Sequence, residues 1–266
     1  STEEQHEARA GLLKSLEQAK ALENIPLDPG NWSGDLATLA GQLLPGTARV
    51  ISDLPDGNAI QRHMLDETRG LIRSSRQHVM LVNAYIIPAG ETIDMLEDLH
   101  SRGVEFDVLT NSLASHDVPA VNSHYKAWRK PLLKVGVNLY ELRHDGATQA
   151  TLAETPPTRG KFMGLHSKAM AVDSRRVYIG SMNYDPRSAA INTEMGVFID
   201  SPALAKALNG LIERDIQPSN SWRVHLDAGG DLTWSSSAGT EKRQPARSWW
   251  QRVEDMFFML FPKEIY

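Results

Sequence analysis

A histidine and a lysine two residues apart, followed by a serine and an asparagine two residues apart, are the groups in this chain best suited to chemistry. His166 and Lys168 lie in the apolar, strand-like run GLHSKAMAVD, and Ser181 and Asn183 follow in GSMN. An imidazole can attack phosphorus or move a proton. Ammonium, amide and hydroxyl groups can hold phosphoryl oxygens, on which charge gathers in the transition state. These residues therefore favour chemistry on a phosphodiester.

The spacing predicts how the side chains are presented. Residues two apart on a strand point to one face, so His166 and Lys168 should project together, and so should Ser181 and Asn183. Asp173 has the opposite parity to His166. We therefore expect Asp173 to fix the turn between the two strands rather than to face the same pocket.

The pattern is more specific than its parts. A chance H-x-K-x4-D would occur in roughly one in fifty chains of this composition, so that core alone is a moderate signal. Gly180, Ser181 and Asn183 at fixed offsets lower the chance by several orders of magnitude. The structural alternative is a buried strand with a hydrogen-bonded histidine and a lysine whose amine reaches solvent. It is much the weaker interpretation.

Composition limits the class of protein. The 266 residues are 41% hydrophobic and 23% charged, which is typical of a soluble globular chain with a sizeable core. The net charge of −5 gives no general attraction to nucleic acid, so nucleic acid is an unlikely partner. The chain has no cysteine, which excludes disulfides and thiolate metal sites. We find no signal peptide and no apolar run long enough to span a membrane.

Strands and helices alternate along the chain, which predicts an α/β fold: a mixed, mostly parallel sheet flanked by helices on both faces. Short apolar runs such as VMLV fit strands that are buried on both faces. The predicted strands are 48–52, 78–85, 104–110, 137–142, 165–172, 176–179, 194–200, 222–226 and 232–234. The predicted helices are 3–23, 58–74, 90–102, 118–134, 202–215 and 246–260.

The organisation suggests two parts. Residues 1–46 are predicted to form an N-terminal helical linker, and residues 47–266 a catalytic domain that ends in an amphipathic helix. Residues 143–163 are polar and small and contain Pro156-Pro157, so we expect a long functional loop that leads into the motif. Because the chain begins directly in a charged, helix-like segment, we expect it to be a piece of a longer protein.

Residues 166–183 resemble the H-x-K-x4-D-x6-G-S-x-N signature of the phospholipase D superfamily. The stretch 185–196 looks like the second-motif region of bacterial cardiolipin synthases, in particular those of the C type. Residues 52–56, 110–114 and 232–234 and the pair Trp249-Trp250 also look like that group. The resemblance covers roughly residues 47–266, is specific around 164–200, and suggests the C-terminal motif-bearing half of such an enzyme.

The resemblance implies roles for the motif residues. One histidine of the superfamily forms a phosphohistidine, while the other protonates the leaving oxygen and then deprotonates the incoming alcohol or water. Lys168 and Asn183, with Ser181 nearby, would hold the phosphate, and Glu194 matches the acidic residue that orients the histidine. Asp173 completes the motif, and the resemblance places it with His166, Lys168, Asn183 and Glu194 among the catalytic residues. The C-terminal histidine usually acts as general acid/base, which is our hypothesis for His166. No metal and no cofactor is implied.

The second histidine of that chemistry is missing from the pattern. In-line displacement places attacking and leaving groups on opposite sides of phosphorus, and no other histidine here begins a second motif. The partner would be a second motif-bearing half, either in the same longer chain or in a homodimer. We therefore expect little turnover from a monomer. His116 follows a predicted strand, where such folds bind ligands, and could line the pocket.

The resemblance implies phosphatidyl transfer between phospholipids, which makes cardiolipin, by an enzyme peripheral on the inner membrane of the bacterial cytoplasm. The alternatives are a phospholipase D hydrolase, a nuclease or phosphodiesterase of the same superfamily, and a catalytically silent half. A nuclease would need a basic groove. Four basic residues on one predicted helix keep that alternative open, although a solvated helix face explains them equally well. They are Lys126, Arg129, Lys130 and Lys134.

The last predicted helix has an apolar side, which is compatible with an interfacial membrane helix. The alternatives are a helix that packs into the core and a seat for the absent half. The apolar residues at helical spacing are Trp249, Trp250, Val253, Met256, Phe257, Leu260 and Phe261.

Overall fold

The structure is a computed structural model, and it describes residues 2–17, 32–56, 59–88, 90–149, 160, 162–258 and 260. Contacts divide the chain into two units. One unit comprises Pro45–His144 and Gly164–Tyr266 and holds the sheet; the other comprises Ser1–Leu44 and Asp145–Met163. Most of the predicted loop 143–163 and the end of the predicted helix 3–23 lie outside the described residues.

The described helices and strands follow the predicted alternation. The helices are α1 (Thr2–Glu17), α2 (Trp32–Gln42), α3 (Met64–Arg73), α4 (Gly90–Ser101), α5 (Pro119–Tyr125), α6 (Arg129–Lys134), α7 (Pro186–Ala190), α8 (Pro202–Asp215) and α9 (Trp249–Phe258). The strands are β1 (Thr47–Ser52), β2 (Leu54–Asp56), β3 (Ala59–Gln61), β4 (His78–Asn83), β5 (Glu105–Asn111), β6 (Asn138–Leu142), β7 (Lys168–Val172), β8 (Arg176–Gly180), β9 (Met195–Asp200), β10 (Ser221–Leu226), β11 (Leu232–Ser236) and β12 (Gly239–Glu241).

The main sheet has ten strands in the order β1-β9-β8-β7-β4-β5-β6-β10-β11-β12, and helices flank it. The predicted mixed α/β sheet is confirmed. Its parallel part, however, is limited to β4, β5 and β6, and the other pairings in this sheet are antiparallel. Three of these antiparallel pairs, β7–β8, β10–β11 and β11–β12, are joined by short hairpin turns, a connection that only antiparallel strands allow.

The middle of the sheet is the core of the unit. Every residue of β7, KAMAV, is buried, and all but the first residue of β4, HVMLVN, are buried too. Val79, Leu81, Met170 and Val172 lie in one hydrophobic cluster with residues of α3, α4 and β5. Because both strands are buried, the end of β4 at Asn83 and the start of β7 at Lys168 are held in fixed positions.

Two predicted helices have different boundaries in the structure. The predicted helix 58–74 is wrong at its start, because β3 pairs with β2 and α3 begins only at Met64. The predicted helix 118–134 is interrupted after Tyr125 and resumes at Arg129. Pro131 explains the second start, since proline fits the first turn of a helix, where its missing N–H is not needed.

The turn between β7 and β8 is built on Asp173, as its parity predicted. Asp173 and Ser174 have φ values of 53° and 49°, in the left-handed region. The Asp173 carboxylate accepts hydrogen bonds from the backbone N–H groups of Arg76, Gln77 and His78. Burial alone would raise the pKa of Asp173. The hydrogen bonds from the three backbone N–H groups, together with the charge of Arg176, outweigh burial and lower this pKa below its usual value. Asp173 therefore ties the hairpin to the start of β4.

Replacing Asp173 should destabilise the protein without disabling its chemistry. Asp173→Ala leaves three N–H groups without their acceptor and puts alanine at positive φ, so we expect a loss of about 2 kcal/mol in the free energy of unfolding. Asp173→Asn tolerates positive φ and keeps an acceptor oxygen, so its loss should be smaller. Urea unfolding measures both.

The pH dependence of this loss has a definite sign. The folded pKa of Asp173 is lowered, so its contribution is complete above about pH 4 and is lost as the pH falls through the folded pKa. The difference between the wild type and Asp173→Asn should therefore shrink on acidification. An Asp173→Asn protein of unchanged stability but lost activity would contradict the structural role.

None of the helices in the described ranges combines the length and the apolar character that a bilayer-spanning segment needs.

Candidate active site

The motif residues come together at one edge of the sheet, where β7 begins and β8 ends. Lys168 opens β7 opposite Asn83, the last residue of β4. His166 lies just before β7, and Ser181 and Asn183 lie just after β8. His166, Ser181 and Asn183 therefore lie outside the strands, so the alternation of side chains along a strand does not orient them as predicted. Their closeness in sequence to Lys168 and to the end of β8 still brings them near one another.

Asn111 explains why the strand begins late. Its side chain accepts a hydrogen bond from Leu165 N–H at 2.8 Å and donates one to Leu165 C=O at 2.8 Å. The amide thus occupies both backbone groups of Leu165, as a neighbouring strand would, and it also donates to Ala84 C=O. Asn111 is 1% exposed, so this clamp on the residue before His166 is fixed within the core.

Lys168 places an ammonium group in a largely desolvated position. Its Nζ donates to the carbonyl of His166 at 2.8 Å and lies 5.8 Å from the ring centroid of Tyr85. Burial lowers the pKa of Lys168, while Asp117, Glu194 and Asp185 act in the opposite direction from a distance. Within the described residues Lys168 forms no salt bridge. An ammonium has three donors, so two remain for a ligand.

Tyr85 forms an aromatic wall beside His166 and Lys168. The ring of Tyr85 meets the exposed His166 ring edge-on, with centroids 6.2 Å apart, and stacks on His116 at 5.4 Å. Its hydroxyl donates to both carboxylate oxygens of Asp117 at 3.0 Å. His116 is therefore close to the site, as predicted, but it supports Tyr85 from behind, and burial lowers the pKa of His116.

Glu194 is buried and engaged with polar neighbours. Its carboxylate accepts a hydrogen bond from Ser181 Oγ at 2.5 Å and another from Asn192 Nδ2 at 3.1 Å. The His166 ring makes no hydrogen bond within the described residues, to Glu194 or to any other group. The orientation of His166 by Glu194 that the resemblance implies therefore stays a prediction, while the link between Ser181 and Glu194 is present.

Asp53 fixes the backbone of Glu194. Its Oδ2 accepts from Glu194 N–H at 3.1 Å, and its own N–H donates to Glu194 C=O at 2.8 Å. Its Oδ1 accepts from the N–H groups of His63 and Met64, so the Asp53 carboxylate caps the start of α3. One carboxylate at the end of β1 thus links the start of a helix to the residue that holds Ser181.

The two asparagines of the site behave differently. Asn83 is fully buried, donates to Met182 C=O at 3.1 Å and accepts from the N–H groups of Tyr85 and Tyr184. The side chain of Asn183 makes no hydrogen bond within the described residues, and its Oδ1 is buried without a partner. Asn83 therefore has hydrogen bonds at both its amide nitrogen and its amide oxygen, whereas the side chain of Asn183 is available to a ligand.

The structure brings together His166, Lys168, Ser181, Asn183 and Glu194. It does not bring Asp173 to them, because Asp173 follows the opposite end of β7 from Lys168. The supporting residues to which sequence reasoning gave no role are Asn83, Tyr85, Asn111 and Asp117, with Asp53, although Asp53 and Asn111 lie in the stretches 52–56 and 110–114 that carry the resemblance. Asn83 and Asn111 end neighbouring parallel strands, where folds of this class bind ligands, and that position was the available signal.

In the described ranges, no group of three His, Asp or Glu side chains lies together in a way that could hold a metal ion.

Comparison with known proteins gives the family. The family model described as "Cardiolipin synthase, PLD-like domain" matches residues 69–216, which is more than half of the chain. The chain belongs to this phospholipase D-like domain family of cardiolipin synthases. The predicted membership of a superfamily of phosphodiesterases and transferases is thereby confirmed.

Individual relatives agree with that assignment. The chain is 32% identical over 265 residues to cardiolipin synthase C of Escherichia coli (strain K12), covering 89% of this chain and 55% of the relative. It is 24% identical over 225 residues to cardiolipin synthase B of the same strain, covering 82% and 44%. The chain thus spans about half the length of the curated relatives it matches.

A solved structure with a similar fold is Nuc from Salmonella typhimurium, a phospholipase D family member. The TM-score is 0.47 at 18% identity, covering 67% of this chain and 99% of that chain.

The Asn111 clamp can be tested at single-residue resolution. Asn111→Ala removes the acceptor of the Leu165 amide, so hydrogen exchange of that amide should accelerate about tenfold or more, which corresponds to a hydrogen bond of about 1.4 kcal/mol. The matched control is Asn138→Ala, which removes a partly buried asparagine that binds Asp107. Unchanged exchange at Leu165 in Asn111→Ala, or equal acceleration in both variants, would refute the clamp.

Proposed function

We propose that this chain supplies one half of a phospholipase D-type active site that transfers a phosphatidyl group between phospholipids, making cardiolipin through a phosphohistidine. The observation that carries the proposal is the state of Lys168, a largely desolvated ammonium with no salt bridge in the described residues. An exposed imidazole and an amide without hydrogen bonds lie on the neighbouring strand ends. A bound phosphate would supply the missing negative charge.

The reaction divides into two displacements with complementary proton transfers. The histidine of the second half attacks phosphorus, a P–N bond forms, and the P–O bond to the leaving alcohol breaks. His166 gives its proton to the leaving oxygen. His166 then removes the proton from the hydroxyl of the acceptor lipid, that oxygen attacks phosphorus, and the P–N bond breaks. Lys168 and Asn183 hold the phosphoryl oxygens, where charge accumulates during both steps.

Ser181 and Glu194 support this arrangement. The hydrogen bond between them fixes the hydroxyl next to the phosphate position, and the negative charge of Glu194 favours the cationic form of Lys168. Tyr85 contributes a wall that limits the movement of the His166 ring. Preorganised groups of this kind stabilise a transition state without reorganising during the reaction.

The second half is required by the in-line geometry. Since the chain spans about half the length of its relatives, we propose that the other histidine belongs to a further motif-bearing segment of the same protein. A two-fold pair of identical chains is the alternative source. In either case a monomer of these 266 residues should turn over little substrate.

Phospholipids are the preferred substrate class because the family model is that of cardiolipin synthases. The enzyme would then act at a membrane surface, and we place it on the cytoplasmic face of a bacterial inner membrane. A nuclease is the second candidate. The predicted basic helix face that favoured it is largely engaged, since Arg129 binds Glu141, Lys126 binds Asp255 and Lys130 binds Asp231. A hydrolase would need only water in place of the acceptor lipid.

The role of His166 can be tested in the complete gene product that contains this chain. His166→Ala should lower kcat for cardiolipin formation from phosphatidylglycerol and phosphatidylethanolamine by about 10³-fold, because it removes a general acid/base, with little change in KM. His225→Ala on β10 is the matched control and should retain activity. Single-stranded DNA should remain intact in the same preparation.

Three results would contradict the proposal. They are a His166→Ala protein with wild-type kcat, cleavage of DNA in preference to lipid transfer, and phosphate label trapped on His166. The last would make His166 the nucleophile instead of the acid/base.

A further inference from the structure

The helix α9 is amphipathic with its polarity reversed. Its buried residues are Gln251 and Asp255, which are 5% and 1% exposed. Its large apolar side chains point outward: Trp249 and Trp250 are 67% and 68% exposed, and Met256 is 65% exposed. Surface helices of globular proteins normally bury the apolar stripe and expose the polar one. The alternative of a helix that packs its apolar side into the core is therefore wrong for these residues, while the alternative of a seat for the absent half is not tested; the predicted Phe261 lies outside the described residues.

Polar bonds hold the helix in this orientation. Gln251 Nε2 donates to Leu113 C=O at 2.6 Å. The Asp255 carboxylate accepts from Asn122 Nδ2 at 2.6 Å, from Lys126 Nζ at 2.7 Å and from Gln244 Nε2 at 2.9 Å. Since these groups are buried, rotating the helix to hide its tryptophans would leave them without partners. We call the exposed apolar side chains the aromatic face. These hydrogen bonds therefore hold the aromatic face toward solvent. It comprises Trp249, Trp250, Met256, Phe257 and Leu260.

A cationic pocket adjoins the aromatic face. It has a volume of about 660 Å³ and is lined by six lysine and arginine residues against three aspartates, and Met256 also lines it. Lys126, Lys130 and Arg129 have carboxylate partners. The other three cations form no salt bridge in the described part of the chain, and they are Lys242, Arg243 and Arg252. Lys242 interacts electrostatically with Asp227, which leaves Arg243 and Arg252 as the excess positive charge beside an exposed apolar surface, in a chain whose net charge is −5.

We propose that the aromatic face and the cationic pocket together dock this domain on a bilayer that contains anionic phospholipid. Tryptophan and other large apolar side chains enter the headgroup and acyl boundary, and lysine and arginine attract anionic headgroups. The pocket accepts a lipid phosphate on Lys242, Arg243 and Arg252. A protein partner is the other possible occupant, since tryptophan, methionine and arginine are also enriched in protein interfaces, and the experiment below distinguishes the two. This inference deepens the proposed function, on which it rests for the lipid nature of the substrate.

The docking surface is coupled to the candidate active site through one loop. Gln251 holds the carbonyl of Leu113, three residues before His116, and His116 stacks on the Tyr85 ring that borders His166. Both surfaces are therefore anchored to the loop that follows β5. A bilayer held by α9 would lie next to the loop that supports the aromatic wall of the site.

Vesicle co-sedimentation of the full chain tests the proposal. We expect the wild type to bind phosphatidylglycerol–phosphatidylcholine vesicles at least roughly tenfold more tightly than pure phosphatidylcholine vesicles. Trp249→Ser with Trp250→Ser should weaken binding to both about tenfold or more. Lys242→Glu with Arg243→Glu should remove the preference for anionic lipid. Leu211→Ser with Lys206→Glu on α8 removes matched exposed groups elsewhere and should change neither value.

The outcomes separate docking from chemistry. His166→Ala should bind vesicles as the wild type does, so vesicle binding reports on the docking surface even if the proposed reaction is wrong. Equal binding of the wild type and the tryptophan variant, with both folded by circular dichroism, would overturn the proposal. So would a wild-type dimer that becomes monomeric in the tryptophan variant without any vesicle binding, since the aromatic face would then be a contact between protein chains.

Discussion

The desolvated ammonium of Lys168 is the constraint on which the rest of the site depends. Lys168 opens a fully buried strand between β4 and β8, with its backbone paired to Asn83 and its ammonium group partly buried. A cation in that place requires compensation. The structure supplies one carbonyl, that of His166, and distant carboxylates, while the nearby side-chain amide of Asn183 makes no hydrogen bond in the described residues. A phosphoryl group satisfies both needs at once.

Local sequence predicted much of this and missed what depends on tertiary contacts. Hydrophobic runs located the buried strands, and residue spacing located the motif and the turn role of Asp173. The clamp by Asn111 joins segments 54 residues apart, and the register of the sheet likewise pairs strands that are distant in sequence. Periodicity does not report such contacts. Asp53 connects residues that are 141 apart in the same way. The bond between Glu194 and Ser181 also forms only when two strand ends meet.

The loop after β5 contacts both the Tyr85 ring beside His166 and the helix α9. On one side, His116 and Asp117 hold Tyr85 against the exposed His166. On the other, α9 is seated by polar bonds that turn its tryptophans outward. An enzyme whose substrate stays in a bilayer needs both a phosphate site and a surface that keeps the site at the headgroup level. The curated relatives that this chain matches are about twice as long as the chain.

The central claim is that Lys168 and its neighbours form a preformed phosphate site in this chain. The most direct measurement is a titration of the full chain with inorganic phosphate at constant ionic strength, followed by the ring signals of His166 in NMR spectra. The account predicts a saturable shift of the His166 signals in the wild type that is abolished in Lys168→Met and retained in Lys130→Met. A shift of equal size in Lys168→Met, or no shift in the wild type, would contradict it.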